Sequence, residues 1–299
     1  MVSARTELRF PSGGTECAAW HSPGSNGAAV VMAAGTAVTK EPGTGAFGRR
    51  FAEAGFTVLA FDFRHLGGSG GQPRQVVRVP EQVADWHAAL AATAALPEVD
   101  PARIAIWGFS LSGGEVLEVA ASSNRVAAAI AQTPLADGRV VTRNGLRHQR
   151  PGPTLRLTGR AVRDTVRGVL GRPPLLVPLT GAPGDVAVLT TPDARDGDRA
   201  LDPDHRYPDW HQEVAARSVL ALGSYRPGRR ASQVRCPLLV LACDEDRSVL
   251  TEPAVQVARQ APAGELVRLP GSHYAPFLDA HEQAVAAELD FLRRHLLAG

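Results

Sequence analysis

Five short apolar runs constrain the fold of this chain more than any other feature. They are Ala28–Ala33, Phe56–Phe61, Arg103–Trp107, Val126–Gln132 and Leu238–Cys243, and none alternates polar with apolar residues. A strand with one wet face alternates; a strand covered on both faces does not. Between the runs lie segments of helical spacing. Phe47–Ala54 stops at Gly55, Pro80–Leu96 carries proline in its first turn, and Gly113–Ala121, Pro253–Gln260 and His281–Leu297 follow. Strand–helix alternation of this kind predicts an α/β fold with a mostly parallel sheet and helices on both faces. Leu266–Leu269 adds a late strand. Glu7–Phe10 and Cys17–Trp20 flank the turn residues Pro11–Gly14 and add an antiparallel hairpin at the start, for about eight strands in all.

One stretch breaks the rhythm. Positions 150–210 hold 9 of the chain's 23 prolines, and proline is excluded from central strands and helix interiors. The segment Leu135–Arg235 is therefore expected to leave the sheet and cover its C-terminal edge. Within it Arg160–Leu170 and His211–Leu222 have helical spacing, with Val162, Val166, Val169 and Leu170 on one stripe of the first. The expected organisation is a sheet-bearing unit of 1–134 and 214–299 interrupted by a cap, 135–213.

Composition removes several function classes. Lysine and arginine total 32 against 30 acidic residues, a net charge of +2, and a chain so nearly balanced is a poor candidate for nucleic acid. Cys17, Cys236 and Cys243 are too few, and wrongly spaced, for a disulfide framework or a metal site. No run of 18 apolar residues occurs, and Met1–Phe10 lacks the apolar centre of a signal peptide. The expectation is a cytoplasmic protein with no membrane partner and no cofactor. The oligomeric state is not fixed, a homodimer being one option.

The chemistry concentrates at Ile104–Gly114. There an apolar strand runs into Gly108-Phe109-Ser110-Leu111-Ser112-Gly113-Gly114 and then into a helix. A tight strand-to-helix turn with small neighbours lifts a nucleophilic serine above the sheet edge, which makes Ser110 the candidate. A serine hydroxyl needs a base to take its proton. His273, in Gly271-Ser272-His273-Tyr274 after the last strand, is placed to do so. An acid must then hold the imidazole, and Cys243-Asp244-Glu245-Asp246 follows the strand Leu238–Cys243. Asp246 is preferred, with Asp244 as the alternative. Two backbone amides should form an oxyanion hole: that of Leu111 and, after the third strand, that of Thr36 in Ala33-Ala34-Gly35-Thr36.

With these blocks in place the chain resembles the α/β-hydrolases, and within them the branch of dienelactone-hydrolase-like proteins and fungal polyketide acyltransferases. The order Ser110, Asp246, His273 is theirs. The resemblance also rests on Val30–Lys40, on Phe61–Gly71, on Gln132–Gly138 and on Tyr225–Arg230. It implies cleavage of esters or thioesters through an acyl-serine, with acyl transfer to an alcohol or amine as the alternative. A non-catalytic ligand receptor on the same fold is the alternative of another class. The implied partner is a small acyl substrate, free or bound to a carrier or coenzyme A. Relatives have histidine where this chain has Ala34, and glycine where it has Ser112.

Other candidates are weaker. Gly67–Gly71 lacks the lysine of a phosphate loop and reads as a turn. Asp62, Arg64 and His65 read as hydrogen-bonding groups behind the site. His205 and His211 belong to a polar surface rather than a metal site. Arg160, Arg163 and Arg167 share a helical face that is solvated or meets a phosphate.

Overall fold

The computed structural model describes residues 5–297; Met1–Ala4 of the opening segment, and positions 298 and 299, lie outside it. Its centre is an eight-stranded sheet: β1 (Thr6–Ser12), β2 (Thr15–Ser22), β3 (Ala29–Ala33), β4 (Thr57–Phe61), β5 (Ile104–Phe109), β6 (Ala128–Gln132), β9 (Leu238–Cys243) and β10 (Gly264–Leu269). The spatial order is β1-β2-β4-β3-β5-β6-β9-β10. β1 and β2 form the antiparallel hairpin and β2 meets β4 antiparallel; every other pairing is parallel. β3, β4, β5, β6 and β9 are buried along their whole length, as their unbroken apolar sequence requires.

Helices cover both faces. α1 (Lys40–Glu53) and α9 (His281–Leu296) lie together on one, where Phe47 stacks on Trp107 at 5.3 Å and the Trp107 indole donates to Glu288 at 3.0 Å. α2 (Val79–Ala94), α3 (Leu111–Ser122) and α8 (Thr251–Gln260) lie on the other. There Trp86 packs edge-on to Phe61 and donates to Glu115. Gly55, at a φ of +90°, ends the first helix as the sequence predicts. α1 starts seven residues earlier than its apolar spacing suggests. Pro42 sits in its first turn, where proline costs nothing, and the glycines there hide the pattern.

Between β6 and β9 the chain builds α4 (Gly138–His148), α5 (Pro151–Val169), the short strand β7 (Leu176–Pro178), α6 (Asp196–Leu201), the short strand β8 (Glu213–Ala215) and α7 (Ala216–Ser224). β7 and β8 pair with each other and not with the main sheet. Three details differ from expectation. α5 begins at Pro151, because its two prolines occupy the first turn. His211–Leu222 is not one helix: its first part pairs as β8, and only Ala216 onward is helical. The Val162, Val166, Val169 and Leu170 stripe of α5 faces outward, while Ala161 and Asp164 turn inward. Among the described residues no helix is long and apolar enough to cross a membrane.

Candidate active site

The parallel register brings the C-terminal ends of the central strands level. Phe109 pairs with Gln132, Gln132 with Leu241, and Leu269 with Cys243. Loops leaving these ends converge on one edge, where open α/β sheets bind ligands.

Ser110 stands between β5 and α3 at φ 58°, ψ −115°, a left-handed conformation that a residue with a side chain avoids unless its surroundings impose it. Here the surroundings do. Its N–H donates to Gln132 O at 3.0 Å, and its carbonyl accepts from Leu135 N at 2.8 Å and Gly114 N at 3.1 Å. The flanking glycines are sterically required. A Cβ on Gly108 would lie 2.4 Å from Ser112 O, and one on Gly114 would lie 2.5 Å from Leu135 O. The position held by Ser112 has no such requirement. Its hydroxyl donates to Ala34 O and ties the elbow to the loop after β3. The departure at Ser112 is thus absorbed by a bond to the other departure, Ala34, whose small side chain packs where Gly43 leaves room.

The three polar side chains meet. The Ser110 hydroxyl lies 3.1 Å from His273 Nε2, and His273 Nδ1 lies 2.7 Å from Asp246 Oδ2. The second bond sets the tautomer: Nδ1–H donates to the carboxylate, leaving Nε2 free to accept from serine. Asp246 Oδ1 accepts from the N–H groups of Ser248 at 2.9 Å, Val249 at 2.8 Å and Leu250 at 3.3 Å. Asp244 is elsewhere, exposed and paired with Arg268 at 2.6 Å. Of the two acids the sequence offers, Asp246 is the one within hydrogen-bond distance of His273.

His273 and Asp246 are both buried, and burial alone would discharge each. Burial pushes the His273 imidazole down, but the Asp246 charge and hydrogen bond, with the Asp193 charge beyond, overrule it and hold the pKa above its ordinary value. Burial likewise pushes Asp246 up, yet His273 and the backbone N–H groups of Val249 and Leu250 bring it below the usual carboxylate range.

Gly35 approaches so closely that a Cβ there would lie 3.2 Å from Ser110 Cβ, and the next residue, Thr36, lines the same cavity as Ser110. Among the described residues neither Thr36 N–H nor Leu111 N–H donates to a protein acceptor. The Trp210 indole reaches down to Ala37 O at 3.1 Å and steadies this loop.

The residues behind the site are engaged structurally. Lys40, the chain's single lysine, is buried against Asp62 at 2.7 Å. Arg64 pairs with Asp85, and His65 with Glu81. Arg74 donates to the carbonyls of Gly67 and Ser69 and so closes the glycine turn. His205 and His211 are exposed; among the described residues no group of three or more His, Cys, Asp or Glu side chains could hold a metal.

Asp193 was not foreseen from sequence. It is buried in the inserted segment and accepts from Arg247 N at 2.8 Å, Ser248 N at 3.1 Å and Ser248 Oγ at 2.9 Å. It thereby grips the loop that carries Asp246. Asn144 on α4 grips the same loop through Arg247 O at 2.6 Å. No motif marks either residue, because each contact joins segments more than 50 positions apart.

Above Ser110 opens a cavity of about 650 Å³. Phe109, Thr36 and Tyr274 form its floor, and Leu157, Leu179, Leu189, Leu201, Trp210 and Val219 its apolar walls and roof.

A serine on such an elbow, with a histidine and an aspartate brought to it from later strands of a parallel sheet, has a counterpart in a large protein family. The model of the alpha/beta hydrolase family matches residues 30–288. The chain belongs to that family. It is 36% identical over 296 residues, 97% of this chain and 95% of the relative, to the quorum-quenching protein AidA of Acinetobacter baumannii. It is 33% identical over 184 residues, 60% of this chain and 59% of the relative, to the polyketide transferase af380 of Aspergillus fumigatus. The crystal structure of the alpha/beta hydrolase GrgF from Penicillium superposes with a TM-score of 0.82 at 25% identity, over 98% of this chain and 99% of that one. As an alpha/beta hydrolase the chain is an enzyme, and the branch expected from its motifs is the one in which these relatives fall.

Proposed function

We propose that this hydrolase cleaves an ester or thioester with an apolar acyl group through an acyl-serine intermediate. The observation that carries the reading is the unbroken chain Ser110–His273–Asp246, with Ser110 at the floor of the apolar cavity.

Ser110 Oγ attacks the carbonyl carbon as its proton passes to His273 Nε2. The carbonyl oxygen becomes an oxyanion and accepts from Leu111 N–H and Thr36 N–H, which are held in place before the reaction begins. The imidazolium is stabilised by Asp246 and gives its proton to the departing alcohol or thiol. Water then enters, loses a proton to His273 and attacks the acyl carbon. Collapse returns that proton to Ser110 Oγ and releases the carboxylic acid.

The segment between β6 and β9 serves as the cap in this reading: its side chains form most of the cavity wall, so they select the acyl group. The volume suits a drug-sized ligand rather than a two-carbon ester. The name of the Acinetobacter relative suggests quorum quenching as one setting for such cleavage. Acyl transfer is the second reading, favoured by the relative named a polyketide transferase.

The test is labelling by a fluorophosphonate with mass mapping, followed by turnover on an ester series with and without an alcohol acceptor. Labelling at Ser110 and hydrolysis that is fastest with longer acyl chains are expected. Ester formed with the acceptor in place of acid would convert the reading to acyl transfer. Absence of labelling would leave a ligand-binding protein.

A further inference from the structure

The near balance of total charge conceals a segregation. Positions 138–172 contain nine arginines and one aspartate, with no lysine or glutamate, so this stretch carries +8 in a chain of net +2 and the remainder carries −6. The basic block that whole-chain counting misses is α4 and α5. Its one acid, Asp164, is buried and held by Arg217 at 2.8 Å. Of the nine arginines, Arg167 donates to Pro173 O. The side chains of the other eight make no ion pair or hydrogen bond among the described residues.

The same stretch exposes aliphatic side chains. Leu155, Val162, Val166 and Val169 on α5 are 52–85% exposed. At about 100° per residue they fall within an arc of about 60°. Arg156, Arg160, Arg163 and Arg167 occupy the neighbouring arc, and Leu157, Ala161 and Asp164 point back into the protein. An ordinary surface helix turns its apolar stripe to the core; α5 turns its longest one away. Leu146 on α4 and Leu220 on α7 are also exposed, and both line the cavity above Ser110. The cavity therefore opens beside this surface.

An aliphatic stripe flanked by unpaired arginines is the pattern of a helix that lies in a lipid interface. A symmetric contact between two copies through this face would set +8 against +8. Nucleic acid would leave the stripe unused, and positions 138–172 contain no Phe, Tyr or Trp on which a base could stack. We propose that α4 and α5 form a docking surface for an anionic lipid bilayer, with the stripe among the acyl chains and the arginines on the headgroups. In this arrangement an apolar substrate passes from the bilayer into the cavity between Leu146 and Leu220. That delivery step, unlike the docking, rests on the acyl-cleaving function proposed above. Docking of this kind reverses the expectation of no membrane partner and needs no membrane-crossing helix.

Co-sedimentation with vesicles tests it. One set contains equal phosphatidylglycerol and phosphatidylcholine, the other phosphatidylcholine alone. The wild-type protein should sediment with the first and not the second, and added salt should release it. Each arginine near an anionic surface contributes about five-fold to binding, so R156Q/R160Q/R163Q should weaken it about 100-fold. V162D/V166D should weaken it at least about ten-fold. None of these side chains lines the cavity, so both variants should keep wild-type melting and wild-type turnover of a soluble short ester. Sedimentation reports docking even if no ester is cleaved, so failure of one proposal is distinguishable from failure of the other. The proposal is overturned by wild-type protein that ignores both vesicles or binds both equally, or by variants that bind unchanged. It is also overturned by a dimer that V162D/V166D dissociates, or by an acidic protein or RNA that vesicles fail to displace from this face.

Discussion

The floor of the site and the segment above it solve opposite problems with the same twenty side chains. On the floor almost nothing has freedom: Ser110 is forced to positive φ, Gly108 and Gly114 admit no methyl group, and both Asp246 oxygens are occupied. In α4 and α5 unpaired arginines and exposed valines face outward, and Gly145, Gly152 and Gly159 have open space around them. Catalysis requires groups held within tenths of an ångström before substrate arrives. A surface that meets a varied partner requires only the right charge and area.

The sharpest way to break this contrast is to remove the Ser110 hydroxyl, the proposed nucleophile. Ser110→Ala should lose about 10⁵ or more in turnover while melting like wild type. Retained activity would mean that the floor is not the catalytic centre. Next in size is the acid. Asp246→Asn should cost about 10⁴ in kcat, whereas Asp244→Asn, whose carboxylate meets only an exposed arginine, should stay within about two-fold. A reversed ranking would refute the assignment of Asp246.

A glycine pair tests rigidity directly. Gly108→Ala should destabilise the fold by about 3 kcal/mol or prevent it from forming, because the new methyl meets backbone. Gly159→Ala, inside α5 with no atom within 4 Å, should stabilise by about 1 kcal/mol. Denaturant melts decide, and equal effects would dissolve the distinction between the two regions.

The smallest effect concerns their junction. General-base action needs neutral His273, and its pKa is raised, so kcat/KM should fall off on the acid side above the ordinary imidazole value of about 6.5. Asp193 is one of the charges that favour the imidazolium. Asp193→Asn should therefore lower the His273 pKa and carry this limb toward lower pH. The pH profile of both proteins measures it; a limb that stays in place would make Asp193 purely a loop anchor.

Legibility in the sequence followed the same division. Ser110, His273 and the fully apolar strands were readable because each depends on neighbours a few residues away: a tight turn, a strand end, an unbroken run. Net charge misled for the opposite reason, since a total of +2 averages a +8 segment with a −6 remainder. The α5 stripe was readable as periodic, and periodicity does not say which side faces the core.

By itself, then, the sequence determined the parallel sheet, the elbow at Ser110 and the strand ends that carry Asp246 and His273, because local sterics and hydrophobic period dictate them. Tertiary structure alone set Asp246 rather than Asp244 against His273, a matter of two residues in a turn that only the position of His273 resolves. It alone joined Asp193 and Asn144 to the acid loop, Trp210 to Ala37 and Ser112 to Ala34. These are single hydrogen bonds between segments far apart in the chain, and nothing in their local sequence distinguishes a buried partner from a solvated one. It alone turned the apolar stripe of α5 outward, with Asp164 on the opposite face buried against Arg217.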